Sequence, residues 1–338
     1  MEKVRFGVVG LGTWGSVHVE TYLAHPDAEL VALCDRDADL LEETARQAGG
    51  VATCGDFRDM MDRDDLDAVS VVTPDFTHTD IVLAAVRAGK AVLVEKPLAT
   101  TLEDCDRIGE ALQENPVPFM VDFHNRWNPG VASMHDDIAD GLIGDVRMVY
   151  YRLSDTIFVP TQMLSWAGRS SVNWFLGSHC LDTLRWLLDD EVERVYTVTD
   201  STLLAGMGID TPDYYLSVLE FSRGARATLE TCWILPESSP SLVDFKLEVV
   251  GERGAFHFDG SPHRLVRTTE DGPKCPDTFI SPVVHGRRVG FATESIRHFI
   301  DCVVRGEQPM VGFEDGREVT RTILAMEQSA REGRPIDL

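Results

Sequence analysis

The sequence predicts an α/β fold: an N-terminal doubly wound parallel sheet, then a C-terminal α+β domain built on a large, mostly antiparallel open sheet. Three observations predict it. From Val4 to about Phe123, apolar β-branched runs alternate with helix-periodic ones, the pattern of strands joined by crossover helices. Beyond a single helix-like stretch at Val131–Gly141 the runs become strand-rich, with alternating or aromatic character. The glycines of a G-x-G-x-x-G follow the first strand directly. At 338 residues the chain has length for two domains, which we divide at 1–123 and 124–338.

Val4, Phe6, Val8 and Val9 make the first strand, and Gly10, Gly12 and Gly15 lead into a helix over Ser16–Ala24. Gly10 permits a tight turn, Gly12 leaves a pyrophosphate unobstructed, and Gly15 lets helix and strand approach. The loop therefore reads as a dinucleotide cradle of the Rossmann type, with Thr13 and Trp14 within it. A second strand, Leu30–Cys34, ends in Asp35, twenty residues after Gly15. A carboxylate there accepts from both adenosine ribose hydroxyls and repels a 2′-phosphate, which favours NAD. Arg36 beside it offers a partner for that phosphate and leaves NADP open.

Further strands are expected at Ala68–Val72, Ala91–Val94 and Pro118–Phe123, with helices at Ala38–Gln47, Thr79–Ala88 and Leu102–Glu114. Six acidic residues between Asp56 and Asp67, mixed with Arg58 and Arg63, read as a solvated helix and loop. Pro74 forces a turn after the third main strand, so Thr73, Pro74 and His78 are expected at the cofactor edge. The next strand delivers Glu95 and Lys96, and Pro97 stops it. A half-buried lysine beside a cationic ring has a lowered pKa and suits proton transfer to or from an alcohol.

Composition narrows the function classes. Apolar residues make up 43% and charged residues 26%, as in ordinary globular proteins. Apolar runs stay well below the ~20 residues of a membrane helix, and no signal-peptide pattern precedes the first strand. A cytoplasmic protein with no membrane partner is expected. The formal net charge of −25 repels nucleic acid. Only five of the 31 basic residues are lysine, a bias that fits either a saline interior or an arginine-favouring GC-rich genome. Seven scattered cysteines without C-x-x-C, and carboxylates without neighbouring histidines, predict neither disulfides nor a metal.

Three segments carry a resemblance: VGLGTWG at 9–15, VTPDFTHTDIVLAAVRAGKAVLVEKPLA at 72–99, and FEDGREVTRTILAMEQSAREGRPIDL at 313–338. With them the chain resembles the glucose–fructose oxidoreductase, inositol dehydrogenase and rhizopine catabolism (Gfo/Idh/MocA) family. The resemblance implies an NAD(P)-dependent oxidoreductase acting on a sugar or cyclitol hydroxyl, with Lys96 catalytic and Glu95 and Lys96 at the nicotinamide. DFHNRWNP at 122–129 resembles the family's crossover between domains, placing His124 by the nicotinamide and Arg126 near substrate. A structural ion pair between domains is the other reading of Arg126. The Pro129-Gly130 pair reads as a break at the boundary.

In WAGRSSVNWFLGSHCLDTLRWLLDD at 166–190, Phe175, His179 and Asp182 share one side of a helix. By resemblance His179 takes or relays the hydroxyl proton and Asp182 orients its ring. Many sugar and cyclitol dehydrogenases of the family have an aspartate four residues before that histidine; this chain has Phe175. Asn173 is the nearest polar side chain, and Trp166 and Trp174 offer flat faces for a sugar ring. We take Lys96, Arg126, Trp166, Asn173 and His179 as substrate-binding candidates. An NAD-retaining glycoside hydrolase and a non-catalytic dinucleotide sensor are the alternatives. Tyr- and Leu-rich strands over 192–221, then helices Glu294–Val304 and Glu314–Arg331, complete the chain. The sheet face predicts a homodimer or homotetramer, as the family likeness does.

Overall fold

The computed structural model describes residues 3–261, 265–270 and 272–338. The chain divides into two compact units, Met1–His124 with Ile280–Arg317 and Asn125–Phe279 with Glu318–Leu338.

In the first unit the chain runs β1 (Val4–Val9), α1 (Thr13–Ala24), β2 (Ala28–Cys34), α2 (Ala38–Gln47), β3 (Ala52–Cys54), α3 (Phe57–Met61), β4 (Ala68–Val71), α4 (His78–Arg87), β5 (Ala91–Glu95), α5 (Leu102–Glu114) and β6 (Phe119–Asp122). The strands form one parallel sheet in the order β3-β2-β1-β4-β5-β6. The order reverses at β1, so the crevice at the carboxyl ends of β1 and β4 is where such sheets take their ligands. The strands are buried on both faces, with Phe6, Val8, Val69, Val71 and Val92 wholly enclosed. Helix starts are capped by the sequence itself. The Asp37 carboxylate accepts from the amides of Asp39 and Leu40, each at 3.1 Å, and Thr101 Oγ1 accepts from the Asp104 amide at 3.1 Å. Asp56 caps α3 in the same way, and the acidic stretch forms that short helix and its flanks as expected.

The second unit opens with α6 (Pro129–Ala139) and continues through β7 (Val146–Thr156), α7 (Ser178–Leu188), β8 (Val192–Asp200), α8 (Leu203–Gly206), β9 (Tyr214–Phe221), β10 (Arg226–Leu235), β11 (Val243–Gly251) and β12 (Ala255–Asp259). Here one expectation is corrected. Pro129-Gly130 does not break the chain; Pro129 sits in the first helical turn, with the Asn128 carboxamide oxygen accepting from the Gly130 amide at 3.0 Å. Gly130 is required for packing, since a Cβ there would lie 2.4 Å from the Phe258 ring.

Two short hairpins follow, β13 (Arg267–Thr269) with β14 (Gly272–Lys274) and β15 (Val283–Val284) with β16 (Arg287–Arg288). The chain ends in α9 (Phe291–Arg305), α10 (Phe313–Glu332) and β17 (Ile336–Asp337). The second unit's sheet has the order β12-β11-β7-β10-β9-β8-β17, antiparallel throughout except for the parallel pair β7 and β10. Alternate residues, Val149, Tyr151, Leu229, Leu247 and Val249 among them, are buried, while Tyr196, Val198, Leu216 and Val218 face outward.

α9 belongs with the first unit, where Ile296, Phe299 and Ile300 are fully buried and the helix lies against β1, β5 and β6. The chain thus returns to its first unit after residue 279. No helix among the described residues is long and apolar enough to cross a membrane, and the cysteines there form no disulfide.

Candidate active site

The glycine loop behaves as three distinct constraints. Gly10 has φ +94°, and a Cβ on it would stand 2.3 Å from the Val72 carbonyl oxygen. A Cβ on Gly15 would stand 2.2 Å from the Gly10 carbonyl oxygen, so the helix can meet the loop only there. Gly12 meets nothing within 4 Å; the space over it is open. It is also the N-cap of α1, with no side chain capping the helix and no acidic residue in its first turn. The first amides of α1 are thus presented toward an anion. This is a cradle for a dinucleotide pyrophosphate, and the residues present fit that group.

Asp35 closes the loop from β2. One of its carboxylate oxygens accepts from the Leu11 amide at 2.7 Å and the other from the Asp37 amide at 2.9 Å. The side chain is thereby oriented, with lone pairs left for ribose hydroxyls. Arg36, beside it, is exposed. Thr13 is exposed and Trp14 half-buried, its ring 5.4 Å from that of His124.

At the ends of β4 and β5 the expected residues separate into two kinds. Thr73 and Pro74 form the turn, with the Thr77 hydroxyl donating to the Pro74 carbonyl at 2.6 Å. His78 is buried rather than open to the crevice. Its Nδ1 lies 2.8 Å from the Pro97 carbonyl oxygen and its Nε2 2.8 Å from that of Thr73. The ring therefore bridges two strand-end loops; burial lowers its pKa, and the neutral ring donates to one of the two carbonyls. Lys96 is half-buried and is joined to Pro97 by a cis peptide bond. His124 is buried between Trp14 and Phe291, the latter 5.7 Å away, and burial, with Lys96 and His18 adding to it, pushes its pKa down to about 3.

Beneath these ends lies a network that no motif in the sequence announced. His18, one turn into α1, places Nε2 3.1 Å from a Glu95 carboxylate oxygen and Nδ1 3.0 Å from the Ser70 hydroxyl. The Tyr22 hydroxyl is 2.5 Å from the same Ser70 oxygen. Asp122 lies opposite Glu95 in the β5–β6 register and is fully buried. The signal available in the sequence was the helix spacing: His18 is three residues past Gly15 and four before Tyr22, so one face of α1 carries both.

In the second unit, Asn173–Gly177 is a single π-helical turn that runs straight into α7. Such turns frequently occur at functional sites. It carries Asn173, Trp174 and Phe175, and α7 carries His179 and Asp182. His179 is buried near the start of α7. The Asp182 carboxylate is gripped by Arg126, whose Nε donates to one oxygen at 3.0 Å and whose Nη2 donates to the other at 2.5 Å; both side chains are buried. The Arg126 guanidinium also lies 5.7 Å from the Trp186 ring centroid. This ion pair lies within the second unit rather than between domains, and it engages the carboxylate expected to orient His179.

Asn173 is wholly buried; its carboxamide oxygen accepts from the Thr231 hydroxyl at 3.3 Å, and its Nδ2 has no partner. Phe175 is half-buried in an aromatic group, edge-on to Trp166 at 6.3 Å and tilted against Trp233 at 5.7 Å. Trp174 is core.

The oxidoreductase family with an NAD-binding Rossmann fold matches residues 4–123, and the C-terminal alpha/beta domain of the same oxidoreductases matches residues 135–338. The chain is 28% identical over 342 residues to the scyllo-inositol 2-dehydrogenase (NAD(+)) of Bacillus subtilis (strain 168), covering 99% of this chain and 96% of that one. It is 34% identical over 259 residues to inositol 2-dehydrogenase 3 of Saccharopolyspora erythraea, covering 75% of this chain and 73% of that one. The crystal structure of myo-inositol 2-dehydrogenase from Lactobacillus plantarum superposes with a TM-score of 0.87 at 22% identity, covering 100% of both chains.

Proposed function

Because the chain belongs to the Gfo/Idh/MocA oxidoreductases, we propose that it moves a hydride between a hydroxyl-bearing carbon of a sugar or cyclitol and NAD, with Lys96 and His179 handling the proton. The observation that carries the reading is the glycine loop: open over Gly12 and sterically closed to any side chain at Gly10 and Gly15. NAD, when bound, supplies the hydride acceptor. The amides at the start of α1 hold its phosphates and Asp35 its ribose, which supports NAD over NADP.

Oxidation of an alcohol releases a hydride and a proton, so a base must receive the hydroxyl proton in the same event. Neutral Lys96 is that base, and His179 orients the hydroxyl and passes the proton on. Relatives named for inositol oxidation support a polyhydroxylated ring as substrate. Phe175, with Trp166 beside it, supports a substrate that presents a C–H face at the position where the resemblance leads one to expect a carboxylate. The protein acts in the cytoplasm as a homodimer or homotetramer joined through the second unit's sheet.

The test is a panel of inositols, sugars and sugar acids, each with NAD and with NADP, followed by absorbance of the reduced cofactor. Lys96→Met should lower kcat by about 10²–10⁴-fold while NADH still binds. Undiminished turnover in that variant removes Lys96 from the chemistry. Sugar cleavage without net NADH would assign the chain to the NAD-retaining hydrolases instead.

A further inference from the structure

The network under the strand ends contains more ionisable groups than its surroundings can keep charged. One ring nitrogen of His18 and one oxygen each of Glu95 and Asp122 lie within 4.8 Å of one another, and all three residues are buried. Two neighbouring carboxylates in a dry site cannot both ionise.

The surroundings of the two carboxyls differ, and that difference points to which one ionises. Tyr22, Ser70, His18 and Glu95 form a chain of contacts that can be polarised from Tyr22 through Ser70 Oγ to His18 Nδ1. Polarised so, it leaves His18 Nε2–H to donate to Glu95. In that polarity Glu95 is the anion; in the opposite one it is the acid, and the two are told apart by Asp122. Neither Asp122 oxygen has a partner of good hydrogen-bond geometry, and the nearby Ser295 hydroxyl donates to the Ala292 carbonyl at 3.0 Å. A carboxylate so placed would have burial and the facing Glu95 against it, with Ser295 and His18 offsetting only part, whereas a carboxylic acid there has an acceptor in Glu95, directly opposite in the sheet register.

The groups facing this cluster come from every element around it. α1 brings His18 and Tyr22, β4 brings Ser70, and β5 brings Glu95 with Lys96 next in sequence. β6 brings Asp122, with His124 two residues on. α9 turns Ser295 and Ile296 inward, and neither is charged. Lys96 is the single lysine or arginine among them.

We propose that Asp122 is a neutral acid donating to an ionised Glu95, so that one buried negative charge, oriented by His18, stands behind Lys96 and sets its readiness to accept a proton. His18 and Asp122 are then positioning residues: they act on Lys96 through Glu95. The proposal rests on the reading of Lys96 as the base. Burial supports the assignment, raising Asp122 well above an ordinary carboxyl and holding His18 down at about 4, hence neutral. Glu95 is raised to about 7 by burial, against which Lys96 acts.

The experiment has two arms on the full-length protein with NADH bound. Infrared spectroscopy at pH 8 should show a buried protonated carboxyl in the wild type and none in Asp122→Asn. In the second arm, the acid limb of kcat/KM against pH, which reports Lys96, should move down by about one unit in Glu95→Gln, because the nearby negative charge is gone. Asp122→Asn mimics the neutral acid and should leave that limb in place.

The infrared band does not depend on Lys96. Its absence from the wild type overturns the shared proton, as does a stoichiometric metal ion in dialysed protein. A band present with the limb unmoved in Glu95→Gln overturns the link to Lys96. Failure of the Lys96 reading itself appears separately, as turnover retained by Lys96→Met.

Discussion

Within one turn, Gly12 and Gly15 answer to different neighbours, the first to open space and the second to the Gly10 carbonyl. Gly15→Ala should therefore cost stability, roughly 2 kcal/mol as overpacking does, read as a lower urea midpoint. Gly12→Ala should melt with the wild type yet weaken NADH by about tenfold, because the methyl occupies the pyrophosphate's seat rather than the protein's core. Fluorescence titration with NADH checks both. The buried titratable groups also fix how stability follows pH. His18 and His124 have pKa values of about 4 and about 3 in the fold, below the ordinary histidine value, because burial disfavours their charged forms. Their contribution is complete above about pH 6.5 and is lost as pH falls through those values. Glu95, raised to about 7, contributes in full below its ordinary value of about 4.3 and loses that contribution as pH rises through 7. Chemical denaturation across this range should give a maximum between the two losses. Glu95→Gln should flatten the alkaline side alone. The sequence made Gly10, Gly12, Gly15 and Asp35 legible because their spacing is a local steric signature. It concealed His18, Ser70 and Asp122, which are single residues on three elements with no spacing in common.

Elements were most legible where capping and periodicity agree. α2, over Ala38–Gln47, and α5, over Leu102–Glu114, match the expected spans, each preceded by a capping side chain, Asp37 or Thr101. β3 went unseen: its three residues pair only with β2, too short a run to show a period. Pro129-Gly130 misled because a proline opening a helix and a proline ending one look alike without the Asn128 cap in view. The start of α7 was hidden in another way, since a π-helical turn has no distinct hydrophobic period. That turn sets the side chain of Phe175 among Trp166 and Trp233. Phe175→Asp should trade this aromatic contact, about 2 kcal/mol for a half-buried ring, for a carboxylate able to accept from a hydroxyl. The expected outcome is a shift of kcat/KM toward inositols by about tenfold relative to the best wild-type substrate. An unchanged ranking across the panel would show that position 175 does not touch substrate.

At the scale of the molecule, the outward face of the second sheet carries two apolar cross-strand pairs, Tyr196 with Val218 and Val198 with Leu216. Adjacent pairs of this kind are costly to leave in water. Val218→Glu should turn a dimer or tetramer into a monomer in size-exclusion chromatography with light scattering, while NADH binding persists. A wild type that already elutes as a monomer would refute the homo-oligomer. Sheet type was legible at this scale because strand alternation is regular over long stretches. The itinerary of the chain was not. The amphipathic stripe of α9 shows that the helix is covered, but nothing in it names β1, β5 and β6 as the cover.

That itinerary constrains how the protein can be dissected. A fragment ending at His124 holds every strand of the parallel sheet but lacks Ile296, Phe299 and Ile300, which seal one side of it. Cut there, the nucleotide-holding half would present bare hydrocarbon to water and clump. A usable excised half must be spliced from two separate stretches of the gene.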